Sequence, residues 1–199
     1  MHGRRNPFVA QEGLPLLVLV AAVIFLLIRY SDPLYAVLPG VAFVLLFLVF
    51  RDPRRKGPSV ALGIVSPVDG EVVEVNHLEE GDLEQPAHRI LIRVNSLGTY
   101  TARSPIEGHI KDPGSGRALW VQTDEGDDVL LKFTGHRFGL APRSFARYGE
   151  RLGQGQRCAY LRLTRFAEVQ IPVDGKVNVE PGDTVVAGID LLGSVPAPR

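Results

Sequence analysis

The chain is short of the residues that most often mark a site. Its 199 residues include one cysteine, one methionine and one tryptophan. A lone Cys158 excludes an intramolecular disulfide and a cysteine-rich zinc site. Lysine plus arginine (22) match aspartate plus glutamate (22), so the basic excess of a nucleic-acid binder is missing. There is no G-x-G-x-x-G, Walker loop or H-E-x-x-H segment, and so no dinucleotide, nucleotide or zinc-protease signature. Helical pattern is scarce after residue 63. Only residues 136 to 147 could form a helix there, and Pro142 interrupts them.

Apolar residues are plentiful, at 45% of the chain, with 21 glycines and 15 prolines. That composition suits a buried core and many turns between short strands. Two apolar runs lie near the start, Leu14 to Ile28 and Leu34 to Phe50. Each is near the short end of the roughly 17–25 residues that span a bilayer. Side by side they predict a helical hairpin in a membrane, with Arg29 and Tyr30 at the far interface. A cleaved signal peptide fits poorly, because the second run follows at once with no small-residue cleavage site between. Pro39-Gly40 weakens the second run and leaves a shallow re-entrant hairpin as the alternative. Arg4 and Arg5 precede the runs, and Arg51, Arg54, Arg55 and Lys56 follow them. The positive-inside rule then puts both termini and the soluble domain in the cytoplasm, on a bacterial-type inner membrane with two passes. The second cluster would also attract anionic phospholipid head groups, or it only sets topology.

From Ile64 onward the pattern is that of strands. Ser66-Pro67-Val68-Asp69-Gly70 and Pro172-Val173-Asp174-Gly175 are turn sequences, each followed by an alternating run. The repetition predicts two related halves around one sheet core. Ile64-Val65 with Glu71 to Val75 reads as one hairpin, and Arg89 to Val94 as a strand. Glu107 to Lys111 is a weaker strand. Ala118 to Gln122 and Val129 to Thr134 flank an acidic turn at 124–128. Cys158 to Leu163, Glu168 to Ile171 and Asp183 to Val186 complete the set. Cys158 is expected in the core, Trp120 in the core or else as a membrane-facing anchor, and His77 and His88 in an exposed loop. His136-Arg137 could meet a phosphate, but no second phosphate-binding feature lies nearby.

Taken in order, several of these segments resemble the short bacterial phosphatidylserine decarboxylases. They are Phe50-Arg51-Asp52-Pro53-Arg54, Ser66 to Gly70, Arg103-Ser104-Pro105-Ile106-Glu107-Gly108, Gly149-Glu150-Arg151-Leu152 with Gly155-Gln156-Arg157, and Gly182 to Gly188. The resemblance implies a mainly β fold: an N-terminal transmembrane helical hairpin, then a β-sandwich or barrel domain. The implied organisation is a cytoplasmic N-terminus (1–13), a membrane hairpin (14–50), a basic juxtamembrane linker (51–63), the β domain (64–193) and a tail (194–199). It also implies an activity, removal of the carboxylate of phosphatidylserine as carbon dioxide. Members of that family make a pyruvoyl group from a Gly-Ser step of their own chain, and it acts as the electron sink. An aspartate in the Ser-Pro-x-Asp-Gly turn and a histidine before the Pro-x-x-Gly segment assist.

Carried over residue by residue, the resemblance is incomplete. Asp69 keeps the aspartate slot. Tyr100 stands in the histidine slot, and a phenol with an ordinary pKa near ~10 is a poor base at neutral pH. His109 is on the far side of the turn. Thr164 and Arg165 stand where the family has Gly-Ser. An arginine has neither a hydroxyl to attack the peptide nor a leaving group to eliminate, so no pyruvoyl cofactor is expected. Two substitutes can be weighed, Thr164 as a shifted nucleophile and the Gly193-Ser194 step near the end. The first would leave a 2-ketobutyryl group, and the second is expected to open a loose tail. The expectation is therefore a family member without the chemistry. Its partners would be a membrane and an anionic phospholipid, with a second copy or a lipid enzyme as further candidates. The alternatives are an active decarboxylase using a non-standard site and a lipoyl-like hybrid adaptor. The adaptor reading rests on the repeated turns and on Gly182-Asp183-Thr184-Val185, but Lys111 and Lys132 lack the setting of a modified lysine.

Overall fold

A computed structural model describes residues 8–10, 12–53, 55, 57, 60–82, 84–96, 98–111, 118–135, 142–144, 146–161 and 164–196. The chain forms two compact units, Met1–Arg54 and Arg55–Arg199.

The first unit is helical. Helix α1 (Leu14–Tyr30) has a proline at its start, where a missing N–H costs nothing. The Ser31 N–H ends it by donating to the Leu27 carbonyl, 2.9 Å away. Asp32 then caps a 3₁₀ turn, Pro33–Ala36, by accepting the Leu34 N–H at 2.9 Å. This turn leads directly into α2 (Val37–Phe50). Pro39 does not break α2, because it falls in the first turn, where no helical hydrogen bond is lost. The outer ends of the two helices meet. Ala10 donates to Phe50 and Asp52 to Phe8, each at 2.8 Å, and the Phe8 and Phe47 rings lie 6.1 Å apart. Leu17 is the one buried residue of α1, and α2 has none. So much contiguous exposed apolar surface is foreign to a protein surrounded by water. Among the described residues, Pro33–Phe50 is the one helical stretch long and apolar enough to cross a membrane, with mean hydropathy 2.4. Leu14–Tyr30 is also apolar but shorter, at 17 residues. One qualifying helix and not two is the difference from the sequence expectation.

The second unit is antiparallel β. In chain order its strands are β1 (Gly63–Val65), β2 (Gly70–Leu78), β3 (Ala87–Val94), β4 (Thr101–Arg103), β5 (Gly108–Lys111), β6 (Ala118–Gln122) and β7 (Asp128–Thr134). They continue with β8 (Arg143–Ser144), β9 (Arg151–Leu152), β10 (Arg157–Tyr160), β11 (Phe166–Pro172), β12 (Lys176–Val177), β13 (Thr184–Val185) and β14 (Leu191–Ser194). An eight-stranded sheet runs β13-β2-β3-β11-β7-β6-β5-β9, and two three-stranded sheets run β1-β14-β12 and β4-β10-β8. The expected mainly β class is what these residues adopt. The central strand β11 points Ala167, Val169 and Ile171, all fully buried, to one side. Val169 and Ile171 each contribute on the order of 1.5–3 kcal/mol by leaving water, and the Ala167 methyl less. Glu168 and Gln170 face the other side, where Arg89 and Asp82 meet them.

The strand order is palindromic. Matching β13, β2, β3 and β11 with β9, β5, β6 and β7 reads the large sheet alike from both ends, and β1-β14-β12 then matches β4-β10-β8. The turns agree in detail. Ser66 Oγ donates to the Val68 carbonyl at 2.7 Å, and Ser104 Oγ to the Ile106 carbonyl at 2.8 Å. The two turns also bond to each other reciprocally. Val65 donates to Pro105 at 2.8 Å, and Arg103 to Pro67 at 2.9 Å. Gly188 donates to Ser66 as Gly155 donates to Ser104, at 2.7 and 2.9 Å. A Cβ on Gly70 or on Gly108 would collide with the carbonyl oxygen of Arg93 or Gln122 across the strand pair. Both turns therefore need glycine at the same place.

Two related halves were expected, but their relation differs. The partner of Ser66–Gly70 is Ser104–Gly108 and not the Pro172 turn, which follows β11 and leads into β12. Ile64-Val65 and Glu71 to Val75 do not pair as a hairpin, because β1 pairs with β14 while β2 pairs with β3 and β13. Part of the expected helix at 136–147 lies outside the described residues. Within it, Arg143–Ser144 pairs with β10 as a strand. His77 and His88 face each other across β2 and β3, with ring centroids 5.5 Å apart, and so are not in a loop. Ser194 does not open a tail: it is the end of β14, paired with Gly63 on one side and Lys176 on the other.

Candidate active site

Asp69 sits in the turn between β1 and β2, and four donors converge on its carboxylate. Thr99 donates from both N–H and Oγ1 to Oδ2 at 3.0 Å, and the Ala187 N–H donates to Oδ1 at 2.9 Å. The fourth donor is Arg55, whose guanidinium grips both oxygens, with Nη2 2.6 Å from Oδ2 and Nη1 on Oδ1. Nη1 also donates to the Ala187 carbonyl at 3.0 Å. Burial alone would raise the Asp69 pKa. The Arg55 hydrogen bonds, the Thr99 and Ala187 N–H groups and the Arg55 charge more than offset that, and lower it from 3.8 to about 2. Asp69 is therefore held as a carboxylate whose lone pairs are already engaged.

The same turn leads to Tyr100. Asn95 donates to the Asp69 carbonyl at 2.8 Å, and Thr99 precedes Tyr100 directly. The Tyr100 hydroxyl donates to the Ser96 carbonyl at 3.0 Å, and its own carbonyl accepts the Leu161 N–H at 2.8 Å. Leu161 in turn accepts the Thr164 N–H at 3.0 Å and the Thr164 hydroxyl. Arg93, Ser96, Tyr100, Thr164, Arg165 and Phe166 line one pocket of about 300 Å³. Three sequence-selected positions, Tyr100, Thr164 and Arg165, are thus brought together, and Asp69 reaches them through Thr99.

What this arrangement can do is limited by where its protons are. Thr164 is buried and spends its hydroxyl proton on a carbonyl. Arg165 is exposed at the mouth, with its carbonyl accepting the Val94 N–H at 2.8 Å. Nothing at these two positions fits a self-derived pyruvoyl group, since neither a free hydroxyl nor a flexible glycine peptide is present.

Other sequence-selected residues lie elsewhere. Arg55 was expected at lipid head groups but is half-buried against Asp69. Arg51 is exposed, while Arg54 and Lys56 lie outside the described residues, as do His136 and Arg137. His109 is 3.7 Å from Asp124 and does not line the Tyr100 pocket. Gly193 is buried in the middle strand of its sheet, bonded on both edges. Lys132 pairs with Asp82 at 3.1 Å, and Lys111 ends β5. Cys158 is fully buried, as expected. Trp120 is only half-buried and donates its indole N–H to Asp128 at 2.8 Å. A second, larger cleft of about 710 Å³ is lined by Arg55, Glu107, Asp124, Arg151 and Gln154 among others. The Arg55–Asp69 grip and the Ser96 contribution had no sequence signal.

The chain thus comprises an apolar helical unit and a mainly antiparallel β unit whose turn aspartate is held ionised. Curated relatives give its family. The phosphatidylserine decarboxylase proenzyme of Symbiobacterium thermophilum is 31% identical over 98% of this chain and 100% of its own length. Those of Nitrosomonas eutropha and Nitrosomonas europaea are 29% and 28% identical, each over 94% of this chain and 95% of theirs. The chain belongs to the phosphatidylserine decarboxylase family. No family model matches it. Among solved structures, glucose permease IIA from Mycoplasma capricolum is similar with a TM-score of 0.49, at 16% identity over 66% of this chain and 94% of that one.

Proposed function

We propose that the chain is a membrane-anchored, phosphatidylserine decarboxylase-like protein of phospholipid metabolism that neither cleaves itself nor forms a pyruvoyl group. The observation that carries this is the pair Thr164-Arg165 in the family's Gly-Ser slot, with the threonine hydroxyl committed to Leu161. Backbone attack needs a hydroxyl aimed at the preceding carbonyl, and elimination needs that oxygen to leave. An arginine supplies neither. Tyr100 in the histidine slot donates its proton to Ser96, so the general base is also missing.

The exposed apolar faces of α1 and α2 support membrane association, with both helices embedded as a hairpin and the β domain folded as a sandwich on the cytoplasmic side. Arg51 and the neighbouring cations support that orientation through the positive-inside rule. The Gly193-Ser194 step and the lysines favour neither an alternative cut nor an adaptor role. Ser194 is paired on both sides, and Lys132 is engaged with Asp82.

The test is a denaturing gel with intact mass of the purified full chain. One uncut polypeptide near 21.8 kDa is expected, together with failure to restore growth of a decarboxylase-deficient host. A smaller fragment with a ketoacyl-blocked terminus sinks the reading.

A further inference from the structure

The pocket at Tyr100 has an unmatched positive charge. Among the described residues, its lining cations are Arg93 and Arg165, and no acid lines it. Arg93 is partly neutralised by Glu71, with Nη2 to Oε2 at 2.8 Å. Among the described residues, nothing hydrogen-bonds to or pairs with the Arg165 guanidinium. Its alkyl stem is seated, however. Gly135 has φ +71, and a Cβ there would lie 3.1 Å from Arg165 Cβ and 3.6 Å from its Cδ. A larger residue at 135 would push the stem aside, so the missing side chain makes room for the arginine over the mouth. Ser96 also lines the pocket and is exposed, and its hydroxyl is not held by any described residue. The Tyr100 and Thr164 hydroxyl protons point away, into protein carbonyls. Donors available to a guest are therefore guanidinium N–H groups and one serine hydroxyl.

From this we infer that the pocket is a binding site for a terminal phosphate group, in which Arg165 is the principal donor. A guanidinium fork suits two oxygens of a tetrahedral oxyanion, leaving a third for Ser96. A volume of about 300 Å³ is at the small end of ligand pockets. It admits a phosphate with a small polar substituent and excludes acyl chains, which would have to stay outside. The phosphate is either carried on a lipid or free in solution. The inference rests on the unprocessed state proposed above, since a cut between 164 and 165 would dismantle the site.

The experiment uses the full chain, solubilised in detergent and also placed in nanodiscs, with calorimetric titration of inorganic phosphate and glycerol phosphate. Nanodiscs of phosphatidylcholine with and without phosphatidic acid supply the lipid-borne arm, read by their competition with glycerol phosphate. Saturable binding is expected. It should weaken about tenfold or more in Arg165→Met, which keeps the stem and removes the fork. Arg165→Lys should fall between, and Arg151→Met, on the other cleft, should match the parent. Competition by phosphatidic acid assigns the lipid source; glycerol phosphate binding without such competition assigns the soluble one. Unchanged affinity in Arg165→Met, or no saturable binding of either soluble probe, overturns the site. The same samples on a denaturing gel separate the two ideas. An intact chain that binds nothing defeats only the phosphate site, while a cut chain defeats the unprocessed state.

Discussion

Arg55 closes on Asp69 from fourteen residues earlier in the chain, taking both carboxylate oxygens and the Ala187 carbonyl in one grip. Both side chains are largely shielded, at 12% and 13% exposure. Removing the cation leaves a shielded carboxylate with only its N–H and hydroxyl donors. Arg55→Met should therefore cost about 1–3 kcal/mol, a melting-temperature drop of about 2–4 °C per kcal/mol for a chain of this length. A double-mutant cycle with Asp69→Asn checks it. If the two losses simply add, the grip contributes nothing of its own.

Acid should weaken the fold through the same carboxylate. Its pKa is below the ordinary value when folded, so its stabilising contribution is complete above about pH 3.8 and is lost as pH falls from there through about 2. Asp69→Asn should flatten the stability profile across that window. Asp127 works in the opposite sense. Burial, Glu125, Asp128 and Asp174 raise its pKa, so its ionised form is disfavoured in the folded chain at neutral pH. Asp127→Asn should raise the melting temperature modestly at neutral pH, and thermal unfolding across pH reads both effects.

Restoring single residues should not restore self-cleavage. Arg165→Ser alone still leaves Thr164 stiff and bonded to Leu161, with Tyr100 in place of a base. It is expected to run uncut. The triple change Tyr100→His, Thr164→Gly and Arg165→Ser should produce a chain cut between positions 164 and 165 on a denaturing gel. An uncut triple variant that folds would mean that the Arg55 grip, or something further, also blocks the reaction.

The outer side of β11 carries a buried polar cluster. Gln170 donates to Asp82 at 2.7 Å and to Glu168 at 2.8 Å, and accepts the Asp82 N–H at 3.0 Å. Gln170→Ala strands those partners at once. It should cost about 1–3 kcal/mol, measured as a fall in thermal stability, whereas Lys132→Met at the half-exposed edge of the cluster should cost less.

Much of the strand content was legible because its signal is local. The alternation of Arg89 to Val94 and the acidic turn between Ala118–Gln122 and β7 both follow from side chains pointing to opposite faces. Pairing was not legible. A period of two says which residues share a face but not which strand lies alongside, so Ile64-Val65 looked like the neighbour of Glu71 to Val75 when its true partner is β14. The repeated Pro-Val-Asp-Gly misled for the same reason. The structural twin of the first copy, Ser104–Gly108, shares its serine, proline and glycine but not its aspartate. Arg55 was misassigned because a cation after an apolar run looks like a topology signal, and a bidentate pair leaves no spacing signature. At the candidate site, aligned slots located Tyr100, Thr164 and Arg165 together; the direction in which each hydroxyl donates required coordinates.

The palindromic sheet also sets an order of events during synthesis. The segment from β4 to β10 is continuous in the chain, so it can collapse as soon as it leaves the ribosome. Its twin is split: β1, β2 and β3 are made first, then wait through the whole inner segment for β11 to β14. Because Gly63 and Lys176 both pair with Ser194, β1 stays an open edge until β14 emerges. Deleting β14 should therefore leave β1 with an unpaired, sticky edge, a hazard chaperones would have to cover.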